Sequence, residues 1–134
     1  MNSDLEDKVV LVTGGAGGIG SVISKSFADQ GARVIVHYNH SKDNAEKIAK
    51  EIDGLAVNAD LTDSKQTKEL FKYIIEKEGK IDVCIANAGK YPKDYAPLWE
   101  IESSRWDNTI STNLSLTYNT SRYFLKHVAQ TKNG

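Results

Sequence analysis

Eight consecutive residues, Thr13–Gly20, have the composition and spacing of a loop that can bind phosphate groups. The run Thr-Gly-Gly-Ala-Gly-Gly-Ile-Gly satisfies two overlapping glycine patterns, G-x-G-x-x-G and T-G-x-x-x-G-x-G. Glycine allows a sharp backbone turn and leaves room for a pyrophosphate where another residue would carry a Cβ atom. A helix that begins at such a turn presents free N–H groups and a partial positive charge to the phosphates.

The apolar patterns on either side of this glycine turn predict the elements that hold it. Val9–Val12 is a short aliphatic run, typical of a strand that is buried on both faces. Ile19, Ile23 and Phe27 recur at helical spacing, and Gly31 is placed to end that helix. A glycine turn between a buried strand and a helix is the arrangement in which dinucleotides bind, whereas an ordinary tight turn is the alternative.

The alternation of strands and helices continues along the rest of the chain. Each further element is predicted from an apolar run or from an apolar stripe at helical spacing. The predicted strands are Arg33–His37, Leu55–Val57 and Ile81–Ala86. The second helix is predicted to begin at the N-cap Asp43, with Glu46 three residues on, and to end at Gly54. The third helix is predicted to begin at Thr62 or Asp63 and to end at Gly79, and the fourth to begin at Ser103. The order βαβαβαβα predicts an α/β fold, a doubly wound parallel sheet with helices on both faces.

Three further motifs follow the glycine turn in a fixed order. Asp60 follows the third strand in Ala-Asp-Leu-Thr, Asn87-Ala88-Gly89 follows the fourth, and Trp106 precedes Asn113-Leu114 in the last helix. Together with the glycine turn they resemble the short-chain dehydrogenase/reductase family, and the resemblance covers essentially the whole chain. Ala86 stands where the family has the first Asn of N-N-A-G, and we expect this change to remove a structural hydrogen bond and not a cofactor contact.

The resemblance implies that residues 1–134 form one NAD(P)-binding domain of Rossmann type. In the family the Asp after the third strand contacts the adenine, and the Asn of the last helix holds a water linked to the catalytic lysine. Asn113 is therefore predicted as a catalytic residue. The residues predicted to contact the cofactor are Gly14, Gly17, Gly18, Ile19, Gly20, Tyr38, Asn39, His40, Ser41, Asp60, Leu61, Asn87, Ala88 and Gly89. Taken singly, these residues also have ordinary interpretations as helix caps, turn residues or surface amides.

The end of the second strand bears on the choice between NAD and NADP. NAD enzymes usually place a carboxylate there, which binds the ribose 2′-hydroxyl and would repel a 2′-phosphate. Here the family's position falls on Tyr38, and Asn39-His40-Ser41-Lys42 follows with no acid before Asp43. Several of these side chains can donate to a phosphate, which favours NADP. NAD remains the alternative, because Gly17 stands where NADP-preferring relatives often carry Arg or Lys.

The family's Tyr-x-x-x-Lys pair lies after a fifth strand, with a Ser at the end of that strand. Tyr38/Lys42 and Tyr73/Lys77 match the spacing, but neither pair follows a fifth strand. The chain stops at a predicted helix end with a glycine cap at Gly134. We therefore expect a fold truncated before the fifth strand, with the catalytic C-terminal part absent, the fourth strand an open apolar edge, and no activity for these 134 residues alone.

Composition excludes several classes of function. The net charge is −1, so no basic field indicates a nucleic acid or an anionic membrane as partner. The longest early apolar run is too short for a signal peptide or a membrane span, and we expect a cytoplasmic protein. Cys84, the single cysteine, lies in an apolar run and is expected to be buried and inert. No metal site is predicted.

Three functions compete for this sequence. The first is an oxidoreductase that moves a hydride between NAD(P) and a small-molecule alcohol or carbonyl, with Tyr91 and Tyr95 lining the substrate site. The second is a non-catalytic module that binds or senses dinucleotides. The third is a doubly wound methyltransferase, which has no use for the motifs at Asn87 and Asn113. Because the last helix resembles the family's oligomer-forming helix, we expect a homo-oligomer, a dimer or a tetramer.

Overall fold

Strands and helices alternate without interruption along residues 4–132, the part of the chain that the computed structural model describes. In chain order the elements are β1 (Val9–Val12), α1 (Gly18–Asp29), β2 (Arg33–Tyr38), α2 (Lys42–Glu51), β3 (Leu55–Asn58), α3 (Ser64–Glu78), β4 (Val83–Ile85), one turn of 3-10 helix (Leu98–Glu100) and α4 (Ser103–Thr131). The predicted βαβαβαβα order is confirmed.

All four strands are parallel and lie in the order β3-β2-β1-β4. Val12, the last residue of β1, pairs with Val36 and with Ile85, and Tyr38 pairs with Asn58 at the end of β3. The carboxyl ends of the strands therefore meet at one edge of the sheet. This arrangement confirms the predicted Rossmann-type α/β fold.

Side chains alternate between the two faces of the sheet and bury a helix layer on each face. Val10 and Val36 pack with α1 and α2 on one face, whereas Leu11 and Ile35 pack with α3 and α4 on the other. Full burial of an aliphatic side chain of this kind contributes about 1.5–3 kcal/mol to stability. The two central strands, β1 and β2, are thus a rigid support for the loops at their carboxyl ends.

The start of α1 differs from its predicted apolar stripe. Ile23 and Phe27 pack against the sheet, but Ile19 is 74% exposed. The stripe is wrong at Ile19 because this residue lies in the first turn of the helix, beyond the carboxyl edge of the sheet. Gly31 ends α1 with a left-handed backbone, φ 85°, as predicted.

The predicted ends of α2 are wrong by one or two residues. Ser41 occupies the N-cap position with no side-chain hydrogen bond, and Asp43 lies inside the first turn. At the other end Asp53 adopts the left-handed conformation expected of Gly54. A Cβ on Gly54 would stand 2.5 Å from the Val34 carbonyl oxygen, so close contact with the sheet explains the glycine.

The caps of the two later helices give one confirmation and one correction. Asp63 caps α3, since its carboxylate accepts hydrogen bonds from the Lys65 and Gln66 amides. Gly79 ends that helix with φ 83°, as predicted. The cap position of α4 belongs to Glu102 and not to Ser103, and no side-chain bond forms there. The glycine cap predicted at Gly134 lies outside the described residues.

The fourth strand is shorter than the predicted Ile81–Ala86. The Ile81 amide donates to Nε2 of His127 on α4 over 3.2 Å, so this residue joins the helix to the sheet instead of extending the strand. Within residues 4–132, β4 pairs with β1 alone, and its side chains are half-buried. No helix in the same range is both long and apolar enough to cross a membrane.

Candidate functional site

The glycine turn is joined to the end of β4 by side-chain and backbone contacts. The Asn87 amide Nδ2 donates to the Thr13 carbonyl over 3.1 Å and to the Gly14 carbonyl over 3.3 Å. Gly14 adopts φ 61°, and a Cβ built on it would lie 3.0 Å from the Ala88 Cα. Ala86 is exposed, and the structural hydrogen bonds of this junction come from Asn87.

Gly20 lies where the first turn of α1 crosses the start of the glycine turn. A Cβ on Gly20 would overlap the Gly14 carbonyl oxygen and lie 2.8 Å from Nδ2 of Asn87. Any side chain here would separate the helix from the turn. The position therefore requires glycine for close packing, and it places the amide end of α1 directly over the carboxyl edge of β1.

The outer side of the turn is open to solvent. Gly17, Gly18 and Ile19 are exposed, and a Cβ on Gly18 would meet nothing within 4 Å. The amides in the first turn of a helix have no acceptor inside that helix. The open space beside Gly18 and the positive end of the helix dipole match what a phosphate requires, so the turn fits a dinucleotide's pyrophosphate.

The segment after β2 lies beside the end of β3. Tyr38 is half-buried, and Asn39, His40 and Ser41 are exposed. Asn58 of β3 holds the segment, since its Nδ2 donates to the Asn39 carbonyl over 2.7 Å. Exposed amide, imidazole and hydroxyl groups therefore follow β2, and the first carboxylate after the strand is that of Asp43.

Asp60 follows β3 and is held by the residues after it. Its Oδ1 accepts the Thr62 amide over 3.0 Å and the Thr62 hydroxyl over 2.6 Å. These bonds, with weaker attraction from His40 and Lys90, hold the pKa of the Asp60 carboxyl below its usual value. The carboxylate stays ionised at neutral pH.

Leu61 contributes to the core and not to the open edge. Its side chain is fully buried, and its carbonyl accepts a 2.9 Å hydrogen bond from Nδ2 of Asn119 on α4. If Leu61 contacts a cofactor, the contact can come only from its backbone. The predicted cofactor contact of Leu61 therefore stays a prediction about the backbone beside Asp60.

Asn113 joins α4 to the segment after β4. Its Oδ1 accepts the Lys90 amide over 2.9 Å, and its Nδ2 donates to the carbonyls of Lys90 and Thr109 over 2.9 and 2.8 Å. A Cβ on the exposed Gly89 would lie 3.2 Å from that Oδ1. Both amide hydrogens of Asn113 are therefore occupied, and its side chain orients the Gly89–Lys90 backbone.

Two residues missed by the sequence analysis hold the site together. The Thr13 hydroxyl donates to the Ile85 carbonyl over 3.2 Å and accepts the Ala88 amide over 3.0 Å. His37 is 2% exposed and bonds to Gly14 and to Ala59. A histidine in the otherwise apolar run of β2 was the available signal, because a buried polar side chain needs hydrogen-bond partners.

Other polar residues considered from the sequence lie apart from this edge. Tyr73 and Lys77 face each other on the exposed side of α3, with the Lys77 Nζ 5.7 Å from the ring centroid. Cys84 is half-buried and not fully buried as expected. Desolvation still raises the pKa of its thiol to about 12, so the thiol is protonated at neutral pH. Among residues 4–132, no group of three His, Cys, Asp or Glu side chains could hold a metal ion.

Two open grooves lie near the site. One of about 370 Å³ separates the segment after Gly89 from the start of α4 and is lined by Lys90, Tyr91 and Arg105 among others. Tyr95, the other tyrosine predicted to line the substrate site, is exposed on the same loop and is outside this lining. A larger groove of about 580 Å³ lies between β3 and α3. Neither groove contains a residue of the glycine turn, so we assign the candidate site to the carboxyl edge of the sheet, where that turn lies.

A parallel sheet between two helix layers, with a glycine turn at its carboxyl edge, defines the chain as a Rossmann-type α/β protein. The family model described as short chain dehydrogenase matches residues 8–134. The chain belongs to the short-chain dehydrogenase family.

Several curated relatives are similar to this chain. The 3-oxoacyl-(acyl-carrier-protein) reductase FabG of Thermotoga maritima is 36% identical over 135 residues, covering 97% of this chain and 54% of the relative. The protein of the same name from Staphylococcus epidermidis is 36% identical over 118 residues, covering 84% and 48%. Elsinochrome reductase 1 of Elsinoe fawcettii is 32% identical over 132 residues, covering 95% and 49%. The chain thus spans about half the length of these relatives.

Proposed function

We propose that the protein is an NAD(P)-dependent oxidoreductase that transfers a hydride between the nicotinamide and an alcohol or carbonyl substrate. Residues 1–134 are its cofactor-binding domain, and these residues alone bind the dinucleotide without turning over substrate. The observation that carries the proposal is the exposed amide end of α1 behind Gly18, held beside the ends of β2 and β4. The family membership and the reductase names of its relatives support it.

Each strand end has a separate task in this proposal. The amides of Gly18 and Ile19 bind the pyrophosphate, and the exposed Ile19 side chain covers the ligand. Gly17 lies beside the pyrophosphate, and its own amide donates to the Gly14 carbonyl over 3.1 Å. The ionised Asp60 contacts the adenine. The segment Asn87–Gly89 lines the nicotinamide half. When bound, the nicotinamide supplies the hydride acceptor or donor; the chain's own residues bind and orient it.

The proposed cofactor is NADP in preference to NAD. The exposed Asn39, His40 and Ser41 can donate hydrogen bonds to a 2′-phosphate. The half-buried Tyr38 occupies the position where a carboxylate would repel that phosphate. Lys42 is engaged only in an exposed 3.9 Å contact with Glu46, so it is available to the phosphate as well.

Asn113 acts through the backbone in this proposal. Because its amide hydrogens already bond to Lys90 and Thr109, it positions the segment after Gly89, which borders the substrate. The second lone pair of Oδ1 remains for the water that the family resemblance implies. The substrate is a small molecule that enters over the loop containing Tyr91 and Tyr95.

A second function, a dinucleotide-binding or sensing module without chemistry of its own, is favoured by one observation. Neither Tyr-x-x-x-Lys pair is placed to act on a substrate: Tyr73 and Lys77 face each other on the exposed side of α3, and Tyr38 and Lys42 border the segment proposed to bind the 2′-phosphate. Both functions require the dinucleotide, so binding alone does not separate them. Carbonyl reduction, followed by the absorbance of the reduced nicotinamide, separates them when it is measured on the protein that carries this domain.

Cofactor binding is tested by titration calorimetry of the chain with NADP⁺ and NAD⁺. We expect NADP⁺ to bind more tightly, and we expect Tyr38→Asp to reverse the order, because its carboxylate would bind the ribose hydroxyls and repel a 2′-phosphate. Tyr38→Asn is the matched uncharged control and should keep the preference for NADP⁺. The proposed function would be refuted if neither NADP⁺ nor NAD⁺ bound.

A further inference from the structure

His37 bonds to two separate loops at the carboxyl edge of the sheet. Its Nδ1 accepts the Gly14 amide over 3.0 Å, and its Nε2 lies 2.9 Å from the Ala59 carbonyl oxygen. An amide can only donate and a carbonyl can only accept, so Nδ1 is bare and Nε2 carries the proton. The geometry therefore assigns His37 as the neutral Nε2–H tautomer, with both ring nitrogens in use.

The two loops that His37 joins are the glycine turn and the segment containing Asp60. The backbone of β2 supports the same junction, since the His37 carbonyl accepts the Gly15 amide over 3.0 Å and the Tyr38 carbonyl accepts the Ala59 amide over 3.2 Å. Among residues 4–132 the Gly14 amide is bound by the imidazole alone, at the residue where the left-handed backbone begins the turn. Its Nδ1 lone pair therefore fixes the direction of the turn.

We propose that His37 is a positioning residue that holds the glycine turn in its ligand-binding conformation through the bond to Gly14, so that protonation of its side chain weakens dinucleotide binding. The inference rests on the proposed function. A proton on Nδ1 would point at the Gly14 N–H across 3.0 Å, and two donors cannot share that distance. The Gly14 peptide then has to turn away, and the amide end of α1 loses its alignment.

No neighbouring charge stabilises the protonated form of His37 within the described residues. Burial lowers the pKa of His37 below its usual 6.5, and the hydrogen bond to Ala59 opposes burial only in part. Asp60 follows Ala59, the residue to which Nε2 bonds, but its carboxylate is directed to Thr62. Arg33 at the other end of β2 pairs with Glu78. The glycine turn itself carries no ionisable side chain.

His37 stabilises the folded protein more at neutral pH than at acidic pH, because its pKa is lowered on folding. Because the folded protein binds the proton less readily than the unfolded chain, the contribution of His37 to stability is complete above the usual pKa and falls as the solution is acidified. Dinucleotide binding is expected to change in the same direction. It is strong when Nδ1 is bare and weaker when Nδ1 is protonated.

Two substitutions separate the two bonds of the imidazole. His37→Asn places a carbonyl oxygen near the position of Nδ1, which preserves an acceptor for Gly14 that does not titrate. His37→Gln places an amide nitrogen near the position of Nε2, which preserves the donor to Ala59. Binding of NADP⁺ and NAD⁺ is measured by calorimetry for the three chains at about pH 7.5 and about pH 4.5, because the pKa of His37 lies below its usual 6.5 and the lower pH has to lie well beneath it.

We expect the wild-type affinity to fall about tenfold at the lower pH, and His37→Asn to keep its affinity at both pH values. His37→Gln should bind about tenfold more weakly than His37→Asn at both. His40 is the same in all three chains, so it does not contribute to the differences between them. Equal binding by the two variants, or an unchanged pH dependence in His37→Asn, would overturn the inference.

A second measurement on the wild-type chain keeps the inference testable without a ligand or a variant. In an NMR titration the Gly14 amide resonance should shift with the same midpoint as the His37 ring, and the ring nitrogens should report the Nε2–H tautomer. If no dinucleotide binds and this coupling is present, the proposed function fails while the positioning of Gly14 stands. If the Gly14 resonance does not follow His37, the inference fails, whatever the dinucleotide does.

Discussion

Gly18 is the residue of the glycine turn at which ligand binding can be changed without disturbing the fold. A Cβ there meets nothing within 4 Å. We expect Gly18→Asp to abolish dinucleotide binding, because its carboxylate would be directed at the pyrophosphate, and to leave the fold intact. Calorimetry measures the binding, and Gly18→Ala is the uncharged control that should retain most of it. Unchanged binding by Gly18→Asp would contradict the assignment of the turn.

A side chain at Gly20, unlike one at Gly18, should destabilise the fold. Its Cβ would overlap the Gly14 carbonyl oxygen, which is backbone and cannot rotate away. We expect Gly20→Ala to lower the free energy of unfolding by at least about 1–3 kcal/mol, as overpacked sites do. Urea denaturation measures the loss. Gly18→Ala adds the same methyl group in the same helix turn without a clash, so an equal effect of the two substitutions would refute this account of the packing.

The glycine turn could be predicted from residue types, whereas the residues that hold it could not. Glycines at Gly14, Gly18 and Gly20 form a pattern along the chain. The partners of Thr13 and His37 are 22 to 75 residues away in sequence, so their bonds exist only after the strands align. Sequence spacing reports local geometry, and long-range side-chain bonds depend on the register of the sheet.

At the scale of an element, the N-terminus of α3 depends on one side chain. The Asp63 carboxylate accepts the Lys65 amide over 2.8 Å and the Gln66 amide over 3.2 Å. We expect Asp63→Ala to lower the free energy of unfolding by about 1 kcal/mol, the usual loss for an N-cap. Urea denaturation tests this, with Asp63→Asn as the control that retains an acceptor oxygen. A loss in Asp63→Asn as large as in Asp63→Ala would exclude capping as the cause.

Element types were predictable here, but several boundaries were not. The apolar runs of β1 and β2 predict buried strands whatever lies beside them, and both strands are buried. The predicted fourth strand fails at Ile81, since its amide bonds to His127 in α4. Asp43 and Ser103 have side chains that could cap a helix, but neither occupies an N-cap position. The helix α2 begins at Lys42, one residue before Asp43, and α4 begins at Ser103 itself. Boundaries depend on tertiary contacts that a local pattern does not contain.

The whole molecule leaves one face of α4 without a partner among the described residues. Leu114, Tyr118 and Leu125 are each more than 60% exposed, and at 100° per residue their spacing places them on one side of the helix. Ile110, one turn before Leu114, and Trp106, two turns before it, are also exposed on that side. A large apolar surface of this kind usually marks an interface. We infer that the protein forms a homo-oligomer through α4.

Self-association through α4 should respond to charge on this face. We expect sedimentation velocity to show a dimer or a tetramer, and Leu114→Lys to weaken its association about tenfold, because the ammonium group would be buried without a partner. Val22→Lys on α1 is the matched control, since Val22 and Leu114 are both 64% exposed; it should leave association unchanged. Association that persists in Leu114→Lys would instead implicate the edge of β4, whose half-buried strand has β1 as its only neighbour within residues 4–132.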